Sequence, residues 1–272
     1  MIEAILALLF GLLIGSFLNV CVHRWPRGRS VVKPRSHCVR CRKPIAWYDN
    51  IPVVSYLLLR GRCRHCGRHI SIRYPVVELI TGLLFFFFVW TLGPTAAAIK
   101  MCVFSAIALA LTFCDLEKRL LPDELTLGGA LIGIVFSAFV RVPDLFVEEI
   151  LKISTGASGR WLWMLVSVCG GLLPAMILWG AGWLYEKVRH REGLGFGDVK
   201  LVAMVGTFLG MQNALLMLIV GSLAGSILGY GYIKATGKDA ATYPLPFGTF
   251  LGAAALAVAA AGQKVLGWYT GQ

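Results

Sequence analysis

Charge is scarce in this chain, and negative charge scarcest. Of 272 residues only 15% are Asp, Glu, Lys or Arg, with 14 acids against 26 bases. That poverty excludes an ordinary soluble domain, which would have to hide runs such as LITGLLFFFFVWTLG in very large cores. A hydrophobic fraction of 57% and a mean hydropathy of +0.73 describe a chain dissolved mostly in lipid. The first apolar run, ILALLFGLLIGSFLNVCV, lacks a basic lead-in, carrying Glu3 instead, and lacks an A-x-A-like exit. Both absences argue against a cleaved secretory signal and for a retained span.

Hydropathy divides the chain into eight apolar segments: 2–22, 74–92, 95–114, 124–140, 161–185, 198–210, 212–233 and 247–267. The sixth is near the shortest length that crosses hydrocarbon. Lipid offers unpaired backbone groups no partner, so each span is expected to be helical. The expected fold is an all-α integral membrane protein, a polytopic bundle of about eight transmembrane helices with one small folded insert. Residues 1–22 form the first span, 23–73 the insert and 74–272 the remaining membrane-embedded part. With the N-terminus outside, loops 23–73, 115–123, 186–200 and 234–246 share one face and hold 21 of the 26 bases. Such asymmetry marks the cytoplasmic side. Orientation and anionic headgroups then account for the net charge of +12, and no nucleic acid partner is implied. Gly221, Gly225 and Gly229 in GSLAGSILG fall at helical spacing, as for close helix packing.

Half of the eight cysteines sit in the insert. HCVRC and RCRHC place Cys38, Cys41, Cys63 and Cys66 in two C-x2-C knuckles, 21 residues apart. Two thiolate pairs can close a tetrahedral zinc site, although the gap lies just beyond the usual range. A reducing cytoplasm argues against two structural disulfides, and redox pairs are the other reading. Four ligands leave no open position, so the zinc would be structural and would supply much of the insert's folding free energy. Arg40, Arg42, Arg62 and Arg64 would offset its negative charge. His37, His65 and His69 read as surface residues. Cys21, Cys102, Cys114 and Cys169 read as small apolar packing residues.

The few acids can be sorted by position. Asp144, Glu148 and Glu149 fall on an outer loop, and Asp49 and Asp239 on inner loops, where solvation explains them. Glu78, Asp115, Glu117, Asp123, Glu124, Glu186, Glu192 and Asp198 lie near span ends on the inner face. Asp115 closes the third span in LALTFCDLEKRLLPDELT, and Asp198 opens the sixth in GLGFGDVK. Two spans separate them, and an even number of crossings returns the chain to one face. Asp198 stands at a helix N-terminus, which favours a carboxylate, and Asp115 at a C-terminus, which opposes one. A few ångströms apart, such a pair shares a proton. One carboxylate then draws a proton from water while the other protonates the scissile carbonyl or leaving amine, with no covalent intermediate. Gly195 and Gly197 are expected to let the backbone turn sharply and approach a substrate, with Phe196 packing inward. Alone, Gly-x-Gly-Asp is a helix N-cap after a flexible turn. The second acid on the same face turns the reading toward catalysis.

In their order, GSFLNVCVHRWPRG, HCVRC, WYDNIPVVSYLLLRGRCRHCG, IRYPVVELITGLL, DLEKRLLPDELT, GFGDVK and YPLPFGTFLG resemble the bacterial type IV prepilin peptidase family over nearly the whole chain. The resemblance implies a multi-pass aspartic peptidase of the bacterial inner membrane, of the Gly-x-Gly-Asp class, with 74–272 as the peptidase domain. Such enzymes cut the basic leader from type IV prepilins and type II secretion pseudopilins at the cytoplasmic face. It implies Asp115 and Asp198 as the catalytic pair, the four cysteines as zinc ligands, a periplasmic N-terminus and cytoplasmic sites. It also implies N-methylation of the new amine from S-adenosylmethionine, for which no nucleotide-binding loop is visible. The lipid bilayer and the pilin substrates are implied partners, with pilus or secretion assembly machinery as a further one. One departure is PFGTF, where the family usually reads Pro-Phe-Gly-Pro; Thr249 is expected to loosen the start of that span.

Glu78, inside the second span in YPVVELI, is costly there unless it faces a polar cavity. It is read as assisting methyl transfer or, more simply, as pairing with a base such as Lys200. Asn19 in the first span reads as an interhelical hydrogen-bond donor. Other classes stay open: a protease of transmembrane helices like the presenilins, a proton-relaying transporter, and a scaffold docking an assembly ATPase through its cysteine module.

Overall fold

The computed structural model of the chain describes residues 1–190, 194–237 and 245–270, leaving aside the side chains of 145 and 263–270. Glu192, Gly193, Asp239, Tyr243 and Pro244, which belong to segments discussed above, lie outside the described residues. Each apolar segment folds as a helix. They are α1 (Ile2–Arg24), α3 (Arg73–Leu92), α4 (Ala96–Lys118), α5 (Asp123–Ser137), α7 (Gly159–Arg189), α8 (Phe196–Leu209), α9 (Met211–Thr236) and α10 (Phe247–Thr270). Two more, α2 (Val54–Leu58) and α6 (Leu145–Thr155), lie in the intervening loops. The all-helical membrane architecture is as expected, and the count of about eight spans is confirmed for five. Among the described residues, five helices are long and apolar enough to cross a membrane: Ile2–Arg27, Arg73–Leu92, Ala96–Lys118, Gly159–Arg189 and Met211–Thr236. Of the other three, the 15 residues of α5 and the 14 of α8 reach only about 22 Å against roughly 30 Å of hydrocarbon, and α10 counts only through its described apolar stretch, Phe247–Gly262.

The chain divides into two compact units, Met1–Ala110 and Leu111–Gln272. In the first, α1 and α3 pack through small residues. A Cβ on Gly11 would meet Gly82 Cα at 2.9 Å, and one on Gly15 would meet Glu78 Cα at 2.6 Å, so neither position admits a side chain. Asn19 Nδ2 donates across this seam to the Tyr74 carbonyl at 3.0 Å, as its position in the first span suggests.

In the second unit α8 is enclosed by α5, α7, α9 and α10. The backbones of Gly170 and Gly206 meet between α7 and α8, and Ser167 Oγ donates to the Thr207 carbonyl at 2.8 Å. Gly221, Gly225 and Gly229 of α9 receive Leu251, Phe250 and Leu245, which is the packing role expected of them.

The outer-loop acids are a different matter. Asp144 is wholly buried, and it caps two helices: Oδ1 accepts from Val147 N–H of α6, and Oδ2 from Met211 and Gln212 N–H of α9. Glu148, also buried, binds Arg141 at 2.7 Å and Lys152 at 2.9 Å. Solvation therefore does not explain these two acids. The first N–H groups of α6 and α9 need acceptors, and Asp144 supplies them.

Candidate functional site

The cysteine module of the first unit is built twice from the same turn. Cys38 N–H donates to Lys43 O and Arg42 N–H to Cys38 O; in register, Cys63 N–H donates to Arg68 O and Gly67 N–H to Cys63 O. The residue closing each turn is left-handed, Arg42 with φ 59° and Gly67 with φ 65°. Isolated bridges His37–Pro44 and Arg62–His69 flank the turns. These local hydrogen bonds shape each knuckle, and the four sulfurs lie within 4.8 Å of one another. A tetrahedral zinc–thiolate centre needs sulfurs about 3.8 Å apart, so a slight contraction would close it. Donor type and count both fit a soft four-coordinate ion.

Charge within the module is already polarised. Burial raises the Cys38 thiol, but N–H groups of Cys41 and Arg40 and the thiols of Cys63 and Cys41 outweigh it and bring it down to about 7. Arg64 is not free to offset the thiolates, because it grips Asp49 with two nitrogens at 2.7–3.0 Å and lies over the Tyr48 ring. His37 and His69 point Nδ1 at carbonyl oxygens and stand outside the sulfur cluster.

Glu78 is buried on α3, and its Oε2 accepts from Val53 N–H at 2.8 Å, with the Ser16 hydroxyl also acting on it. Val53 has φ 60°, a strained backbone for a β-branched residue. Glu78 thus holds a strained loop against its helix, and it has no need of Lys200. Lys200 Nζ instead binds Asp123 Oδ1 at 2.6 Å and stands over the Phe196 ring. Phe196 itself is 60% exposed rather than packed inward.

The carboxylate site lies in the second unit, where α4 ends and α8 begins. Asp115 and Asp198 are only 5% and 9% exposed, and each lies within the other's electrostatic reach. The sharp turn expected at the motif glycines is not seen at Gly195. Gly195 has an ordinary extended backbone (φ −72°, ψ 132°), so no sharp turn demands it. Gly197 matters by closeness: a Cβ there would stand 3.3 Å from Leu121.

A third helix completes the site. Thr249 N–H and Oγ1 lie 2.6 and 2.8 Å from Asp115 Oδ2. A Cβ on Gly248 would meet the Asp115 carboxyl carbon at 3.0 Å. So Thr249 does not loosen the start of α10; it ties α10 to Asp115. Hydrogen bonds to a charged acceptor are worth about 1.5–3 kcal/mol each, against about 0.3–1 kcal/mol for a helix-end dipole. Direct donors therefore govern Asp115 more than its place at a helix C-terminus. The spacing of PFGTF after a polar loop was the only sequence signal for Gly248 and Thr249.

A helical protein with five helices long and apolar enough to cross a membrane, a four-cysteine cluster and two buried acids fits the class of membrane peptidases. Residues 9–92 match the model of the bacterial peptidase A24 N-terminal domain, and residues 102–230 that of the type IV leader peptidase family. The chain belongs to the type IV leader peptidase family. It is 35% identical to the prepilin leader peptidase/N-methyltransferase of Aeromonas hydrophila, over 97% of this chain and 92% of that protein. It is 40% identical to the protein of that name from Myxococcus xanthus over 86% of this chain and 64% of the relative. The Pseudomonas aeruginosa relative is 34% identical, over 90% and 85%. No solved structure matches the chain.

Proposed function

We propose that this chain is a prepilin leader peptidase of the inner membrane in which Asp115 and Asp198 are the hydrolytic pair. The observation that supports the assignment is a pair of buried acids, 83 positions apart by their numbers, that lie within electrostatic reach in an otherwise acid-poor chain. One carboxylate takes a proton from water as its oxygen attacks the scissile carbonyl; the other protonates the carbonyl oxygen. Substrates are type IV prepilins and type II secretion pseudopilins, whose apolar helix docks in the membrane beside the site. Orientation follows the bases: a periplasmic N-terminus, with the cysteine loop and the aspartates cytoplasmic.

Zinc held by Cys38, Cys41, Cys63 and Cys66 stabilises the 23–73 insert and takes no part in hydrolysis, since four protein ligands close the coordination shell. N-methylation of the new amine is the second activity, with S-adenosylmethionine as methyl donor. Among the described residues there is no β-strand, so a dinucleotide-type cradle for that cofactor is not built here, and no step is assigned to it. Mass spectrometry of a co-expressed prepilin tests both activities, reading leader removal and N-methylation together. Intact leader with the wild-type enzyme present would refute the peptidase reading.

A further inference from the structure

Thr249 directs two donors at one oxygen, and that asymmetry bears on how the pair divides its labour. We propose that Thr249 is a positioning residue that keeps Asp115 as the unprotonated member of the pair and leaves the shared proton on Asp198. The inference rests on the hydrolytic role proposed above for the two acids.

Two donors on one carboxyl oxygen favour the ionised group over the neutral acid, whose proton would have to sit on the other oxygen, Oδ1. The N–H of Thr249 also reaches the Pro246 carbonyl, at 3.2 Å, but it stands much closer to Asp115 Oδ2, at 2.6 Å. Its hydroxyl could turn to the Thr112 carbonyl, but that oxygen is 3.4 Å away and Asp115 Oδ2 is 2.8 Å away. Gly248 allows the approach, because any side chain there would press on the Asp115 carboxyl group. The charged groups facing Asp115 are Asp198 from α8 and Arg119 just past the end of α4, a cation that suits a carboxylate partner. Among the described residues, no side chain is seen donating to Asp198. The helix ends favour the opposite division, but the donors of Thr249 stand at bonding distance. Proline, which has neither N–H nor hydroxyl, could not do this, so the device belongs to the threonine of PFGTF.

The assignment fixes the proton path. The Asp115 carboxylate takes a proton from water, whose oxygen bonds to the scissile carbonyl carbon, and Asp198 gives its proton to the carbonyl oxygen. On collapse the proton on Asp115 passes to the leaving nitrogen as the C–N bond breaks. Asp198 recovers a proton from a hydroxyl of the tetrahedral intermediate, and both acids return to their starting states.

The test is the pH profile of prepilin cleavage by the full-length enzyme and its Thr249→Val, Thr249→Ser and Thr249→Pro variants, with a melting curve for each. The acidic limb of kcat/KM reports loss of the unprotonated member. Removing the hydroxyl donor in Thr249→Val should move that limb up by about half a pH unit or more with KM unchanged. Thr249→Ser should bring it back, and Thr249→Pro should move it further. A limb that coincides in wild type, Val and Ser variants overturns the inference, as does a Ser variant that shifts as far as Val. Should Thr249→Pro fail to fold, the Val and Ser pair decides. Cleavage surviving in Asp115→Asn or Asp198→Asn would instead remove the pair itself, which separates the two failures.

Discussion

The cysteine module and the carboxylate site are organised on opposite principles. The module is local: each pair of sulfurs is set by a turn of a few residues, the second turn copies the first, and the sulfurs stay partly exposed. The carboxylate site is assembled from α4, α8 and α10, its acids are almost fully buried, and its closest donors stand 134 positions away in sequence. A local site can wait for its ion as an independent unit. A distributed one exists only if the helices around it pack correctly. Lesions in the first should therefore leave the helices standing, and lesions in the second should be felt through packing.

The largest effect expected from breaking that contrast concerns the metal. Structural zinc contributes on the order of 10 kcal/mol to folding of modules of this kind. Chelation, or Cys63→Ser, should release about one zinc per chain and deprotect amides of residues 35–70 to hydrogen exchange, with helical circular dichroism nearly unchanged. Protection that persists in metal-free protein would mean the module holds itself together.

Next in size is the corner made by Asp144. Asp144→Ala strips acceptors from three N–H groups and should cost about 2–4 kcal/mol, read as a lower melting temperature in detergent. Asp144→Asn should recover part of it. Smaller, and more telling, is a comparison of glycines. A methyl on Gly248 crowds the Asp115 carboxyl carbon at 3.0 Å, whereas one on Gly195 reaches Asp198 Oδ2 at an ordinary 3.4 Å. Gly248→Ala should slow cleavage about tenfold and cost about 1–3 kcal/mol, and Gly195→Ala should do much less. If the motif glycine proves the more sensitive, the packing account of the site is wrong. Smallest is Lys200→Ala: its partner Asp123 is 59% exposed, so the change should be under about 1 kcal/mol in a thermal melt.

What could be read from sequence follows the same division. The knuckles were legible because C-x2-C spacing is itself the geometry of the turn. Asp115 and Asp198 were legible because an acid beside a long apolar run is costly and so stands out. The helices were legible, but α5 is only 15 residues long, so helix length alone does not establish the crossing on which the parity argument relied. Thr249 and Gly248 were not legible as site residues. Nothing local to PFGTF says that its amide and hydroxyl meet an acid on another helix. The partner of Glu78 was not legible for a similar reason: it is a strained backbone N–H at Val53, and a backbone donor leaves no trace in side-chain charge. Asp144 was passed over because its helix-capping partners, Met211 and Gln212, lie far along the chain.

The central claim is that two acids act as one hydrolytic device, and leader removal from a prepilin by single variants tests it most directly. Asp115→Asn and Asp198→Asn, each folded to the wild-type melting temperature within a few degrees, should both lose cleavage by at least about a thousandfold. Substantial leader removal by either variant would contradict the account.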